Sequence, residues 1–65
     1  MEVVERALKV AGSFPGSREA PKLLLSLFKE AKGLDRDKIG ELVEVLYASA
    51  ETEDDLNLVN EYWAS

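Results

Sequence analysis

Four stretches of this 65-residue chain place apolar residues three and four positions apart, the spacing of one face of an α-helix. In EVVERALKVA the set is Val3, Val4, Ala7, Leu8 and Ala11, which predicts a helix over about residues 2–11. Gly12 is its expected stop, in the left-handed conformation that glycine adopts without steric penalty. The second stretch has two possible starts. Ser17 has the side chain of an N-cap, whereas Pro21 has the fixed φ of a first helical turn and biases Ala20 away from helix. Beyond either start, Leu23, Leu24, Leu25, Leu27 and Phe28 cover more than half the circumference, and the pattern runs on to Ala31. A helix apolar that far round is expected to be enclosed on several sides, at the centre of the core.

The next boundary reads as a tight turn. Gly33 is the expected left-handed stop, Leu34 is expected to fold back on Phe28, and Asp35 is expected to cap a third helix while Leu34 staples onto Ile39. That helix, over about residues 36–49, presents Ile39, Leu42, Val43, Leu46 and Ala50, widened by Val45 and Tyr47. Gly40 lies inside it, where glycine costs roughly 1 kcal/mol relative to alanine, and a close helix crossing is its expected justification. Thr52-Glu53-Asp54-Asp55 is a T-x-x-D variant of the capping box and opens a fourth helix. Leu56, Val59 and Trp63 form its inner face, joined by Leu58 and Tyr62. Such helices are roughly 15–22 Å long at 1.5 Å per residue, too short to share a long seam, so steep crossings are expected. The fold expectation is a single all-α domain over residues 1–65: a compact, monomeric four-helix globule with short helices around a central helix 2.

Between the first two helices lies AGSFPGSREAP, residues 11–21, with two glycines, two prolines and Phe14. Its length suits a crossover between helices that are not simple antiparallel neighbours. Phe14 is expected to plug one end of the core, adding roughly 1.5–3 kcal/mol by burial. The alternative is an exposed ring that meets a partner.

Composition narrows the chemistry. A chain of this size buries only about 60% of its unfolded surface, and it has no cysteine or histidine. Disulfides, thiolate chemistry and the commonest zinc ligands are therefore absent, and packing alone holds the fold. With 46% hydrophobic and 32% charged residues the chain reads as a soluble globule rather than a disordered segment. Apolar runs such as Leu23-Leu24-Leu25 fall far short of the roughly 20 residues a membrane span needs. MEVVERALKV carries acids where a secretion signal is basic, so no targeting segment is read and a cytosolic-type environment is the default expectation.

The net charge of −5 is unevenly spread: residues 41–65 hold seven acids and no base, and all eight Lys and Arg fall between Arg6 and Lys38. Either the two halves pack together and their fields cancel, or the acidic part faces a cationic partner. Nucleic acid is a poor partner for either arrangement, because phosphate neutralisation needs clustered Lys and Arg.

Candidate motifs fail on inspection. DRDKIG, Asp35 to Gly40, begins like an EF-hand loop, but Ile39 and Leu46 stand where two oxygen ligands belong. Asp35 and Asp37 are read instead as first-turn acids, and Glu51, Glu53, Asp54 and Asp55 as a cap with solvated acids. The helix-turn-helix reading fails because DRDKIGELVEVL has the wrong charge for a major groove. With no histidine base, no cysteine and no glycine-rich phosphate cradle, neither catalysis nor a cofactor is expected. That leaves surfaces, for which aromatic residues are the usual anchors. Phe28 is assigned to the core and Trp63 is expected to face inward. Phe14, Pro15 and Tyr62 are the candidate protein-contact residues.

Two resemblances follow from these residues. Phe14-Pro15 after the first helix and Val45-Leu46 late in the third resemble the two dipeptides of CUE-type ubiquitin-binding domains, over about residues 5–46. The resemblance implies ubiquitin contact through Phe14, Pro15 and Leu46. The chain departs from the family at Ser13, in the length of helix 2 and in its extra fourth helix. In style, the absent cysteine and histidine and the cap expected at each helix end resemble a de novo designed helical miniprotein. The functional expectation is a non-catalytic structural or protein-binding scaffold that requires no partner, with a natural protein–protein interaction module as the alternative.

Overall fold

The computed structural model describes residues 2–64. Helix α1 runs from Glu2 to Gly12 and ends without a left-handed residue, since Gly33 is the one described glycine with positive φ. Ser13 ends α1 instead. Its N–H reaches the carbonyls of Lys9 and Val10, both at 3.1 Å, and its hydroxyl donates to the Val10 carbonyl at 2.6 Å. These contacts satisfy carbonyls that a helix end leaves open, so Gly12 needs no special backbone.

Residues 13–19 form a run of turns leading to α2, Ala20–Glu30. Pro21 sits in the first turn, the position its missing N–H suits. Ser17 does not cap: its N–H donates to the Ser13 carbonyl at 2.9 Å, and Glu19 precedes α2 with no side-chain cap. Helix α2 packs along α1 and on two of the helices that follow, and with Leu24 fully buried and Leu27 buried it lies at the centre of the globule. Ala7, Ala11 and Ala20 are fully buried, and their small side chains allow close approach of α1 and α2.

The turn after α2 differs from its expected form. Ala31 and Lys32 are both extended, and Gly33, with φ 61°, opens α3, Gly33–Glu41, three residues early. Asp35 lies in the first turn of α3 rather than capping it, and no side chain caps that end. Leu34 is 75% exposed, so it covers neither Phe28 nor Ile39. The two extended residues redirect the chain, and the Arg36 guanidinium lies over the Phe28 ring, 4.6 Å from its centroid.

The third helix is interrupted at Leu42, which separates α3 from α4, Val43–Ser49. The Leu42 N–H is shared between the Lys38 and Ile39 carbonyls, at 3.3 and 3.0 Å, and Val45 bonds back to Leu42 at 2.9 Å. Tightening of this kind is 3₁₀-like, and Gly40 two residues earlier is a weak point where helices bend. Gly40 also makes the expected close crossing: a β-carbon there would lie 3.3 Å from Cε1 of Phe28.

Helix α5, Glu53–Trp63, opens with the predicted capping box. The Asp55 N–H donates to Thr52 Oγ1 and the Thr52 N–H to Asp55 Oδ2, both at 3.2 Å. Val59 is its fully buried residue, whereas Leu56 is 41% exposed rather than part of the inner face. Counting α3 and α4 as one interrupted arm, the described residues form an all-α four-helix globule with no strand, 32 × 22 × 16 Å in extent. Leu24, Ile39, Leu46 and Val59 meet at its centre. No described helix is long and apolar enough to cross a membrane.

Candidate interaction surface

Phe14 is 3% exposed and belongs to the core, as the plug reading expects. The residue that closes the loop over it is Arg18, whose guanidinium lies 5.7 Å from the Phe14 ring centroid. The same guanidinium donates to Asp55 Oδ1 at the start of α5. Asp55 is the buried charged residue of the described chain, and each of its oxygens is occupied: Oδ2 accepts the N–H groups of Glu51, at 2.8 Å, and Thr52. The Arg18 hydrogen bond, followed by that of Glu51, pulls the Asp55 carboxyl from 3.8 down to about 2; desolvation opposes them and the Thr52 N–H assists.

The other end of α5 is tied to the same region. Trp63 Nε1 donates to the Pro21 carbonyl at 3.1 Å, and its ring meets Phe28 edge-on with centroids 5.4 Å apart. Trp63 thus faces inward as expected, half-buried. The 11–21 connection is therefore an anchor for α5, with a buried aromatic at its middle.

Of the three candidate contact residues, Phe14 is enclosed, and Pro15 and Tyr62 are half-buried. They do not form an exposed aromatic patch. Leu46, the remaining residue implied by the CUE-type resemblance, is fully buried. Of the caps behind the design-like style, the side-chain cap at α5 forms, whereas α2, α3 and α4 begin without one.

The open apolar surface lies elsewhere. Arg6 and Val10 from α1, with Leu23, Ser26, Leu27 and Glu30 from α2, line a groove of about 270 Å³. Val10 is half-buried and Leu27 buried, while Leu23 is 45% exposed. Arg6 and Glu30 bring opposite charges to the groove from different helices, without pairing with each other. Sequence periodicity enclosed α2 on several sides and so missed this opening. The available signal was the stripe Glu19, Leu23, Ser26, Glu30, spaced four, three and four residues apart, in which Leu23 is the one apolar member.

Direct pairing of opposite charges is limited to one contact among the described residues. Among the described residues Arg18–Asp55 is the single ion pair, and Glu41, Glu44, Glu51, Glu53, Asp54 and Glu61 are all exposed. No three described acids gather closely enough to hold a metal ion. Comparison with protein-family models, curated proteins and solved structures finds no match to this chain.

Proposed function

We propose that this chain is a non-catalytic helical scaffold that binds a protein partner through the groove between α1 and α2. The observation that carries the reading is Leu23: a large apolar side chain, 45% exposed, on an otherwise polar stripe and at the edge of a groove. Full burial of a leucine is worth about 1.5–3 kcal/mol, and a partner side chain seated between Val10 and Leu23 recovers part of what folding leaves unused. Ser26, Arg6 and Glu30 supply a polar rim, the arrangement in which a few apolar anchors carry binding and the surroundings exclude water. The groove, at about 270 Å³, has no histidine or cysteine in its lining to act as base or nucleophile, which supports a binding rather than a catalytic reading.

The alternative, a ubiquitin-binding module, draws no support from Phe14 and Leu46, which are both buried. Panning a displayed peptide library on the intact protein tests the proposed reading. Sequences with an apolar anchor beside an acid and a base are expected to enrich, and their binding is expected to disappear in Leu23→Glu. Enrichment that is equal on wild type and Leu23→Glu, or none at all, overturns the groove as the binding surface.

A further inference from the structure

We infer that the α1–α2 groove is also a self-association surface, covered at high concentration by the same groove of a second copy of this chain. The inference rests on the protein-binding reading of the groove and names one partner for it. Its basis is charge complementarity. The groove carries a cation from one helix, Arg6, and an anion from the other, Glu30, with Val10, Leu23 and Leu27 as its apolar lining.

A two-fold axis along the groove exchanges its walls, so that α1 of each copy lies over α2 of the other. The α1 wall with Arg6 and Val10 then faces the other copy's α2 wall with Glu30 and the exposed Leu23. A surface with opposite charges on its two walls is its own complement, which is the condition for an isologous interface. The exposed Leu8, Leu34 and Leu56 lie outside this lining. The acidic residues 41–65 also contribute nothing to the groove, so their mutual repulsion does not fall on the contact.

The contact is small. Its apolar centre is one half-exposed leucine per copy, against the roughly 1,200 Å² of buried surface that a stable interface needs. Association is therefore weak, with single chains dominant at low concentration and a Kd on the order of 0.1–1 mM.

Sedimentation equilibrium on the full chain, from about 10 μM to about 2 mM, spans that range. The weight-average mass is expected to rise from 7.2 kDa toward twice that value. Leu23→Glu, a half-exposed position whose replacement leaves the core intact, is expected to stay a single chain throughout, with circular dichroism confirming that it folds. Arg6→Glu and Glu30→Arg are each expected to weaken association about two- to fivefold, and the double exchange Arg6→Glu/Glu30→Arg to restore it.

A mass fixed at one chain up to the highest concentration overturns the inference. So does a dimer insensitive to Leu23→Glu. If the mass stays fixed while selected peptides still bind in a Leu23-dependent way, self-association fails and the protein-binding reading stands. Loss of both removes the groove from both readings.

Discussion

Arg18 and Asp55, 37 residues apart in sequence, form the ion pair that joins the basic and acidic parts of the chain. Arg18 also covers Phe14, so one side chain links the loop, the plug and the start of α5. Arg18 is about half exposed and Asp55 almost fully buried. The pair is thus partly open to solvent, and its strength lies in fixing geometry as much as in Coulomb attraction.

Acid is expected to loosen this junction. The Asp55 carboxyl is lowered from 3.8 to about 2 in the folded chain, so the unfolded state takes up a proton first as pH falls. The resulting stability is fully present above about pH 4 and is lost as pH drops toward about 2. Thermal melts across this window are expected to show a smaller loss in Asp55→Asn than in wild type. In Arg18→Ala the Asp55 carboxyl carbon is expected to titrate at higher pH by NMR; an unmoved midpoint counts against Arg18 as the main cause.

Phe14→Ala is expected to cost about 3–5 kcal/mol, the usual range for removing a buried aromatic. A single core of this size rarely supplies more than about 3–5 kcal/mol in total, so the variant is expected to be largely unfolded at room temperature. Phe14→Leu keeps an apolar plug and is expected to stay folded with a lower urea midpoint. Urea titration followed by circular dichroism measures both, and a Phe14→Ala variant as stable as wild type is incompatible with a buried ring.

At Gly40 two effects compete. Alanine in a helix interior gains about 1 kcal/mol over glycine, but its β-carbon would meet Phe28 at 3.3 Å, closer than comfortable contact. Phe28 is half-buried, in edge-to-face contact with Trp63 and with the Arg36 guanidinium over its ring, so any retreat disturbs both contacts. Gly40→Ala is therefore expected to leave stability near the wild-type value in the native background and to stabilise by about 1 kcal/mol in a Phe28→Leu background. A double-mutant cycle with no coupling between the two sites rules out the close crossing as the reason for glycine.

Thr52→Ala is expected to lose about 1 kcal/mol, the typical cost of removing an N-cap hydroxyl. Thr52→Ser restores the acceptor for the Asp55 N–H and is expected to recover most of it. Chemical denaturation separates the two variants, and equal losses in both assign the effect to packing of the threonine methyl group rather than to the cap.

The elements most legible in the sequence are those set by neighbours within one or two turns. Pro21 falls in the first turn of α2, as its ring geometry suits, although Ala20 ahead of it is already helical. Thr52 with Asp55 caps α5 because both partners lie three residues apart. The helical faces built on Ala7, Ala11, Leu24, Ile39, Leu46 and Val59 reach the core because period alone puts them on one side. Phe14 is buried as expected, since a large ring in a marginal domain gains most from enclosure.

Where the chain has a choice, tertiary contacts decided. Gly12 and Gly33 are equally competent as left-handed stops in sequence, yet only Gly33 adopts positive φ, and it does so at the start of a helix. Leu34 looks like a staple but is exposed, because two extended residues turn the chain and Arg36 takes the face of Phe28. The candidate surface was the least legible part. Whether Leu23 is covered depends on which helices pack around α2, a fact held in no local window. Periodicity and capping chemistry by themselves determined four helical arms, a single packed core and the cap of α5, since those follow from bonds and side chains close in sequence. The Arg18–Asp55 junction, the Trp63–Pro21 tie and the open α1–α2 groove were decided only by tertiary structure, because each depends on groups brought together across the chain.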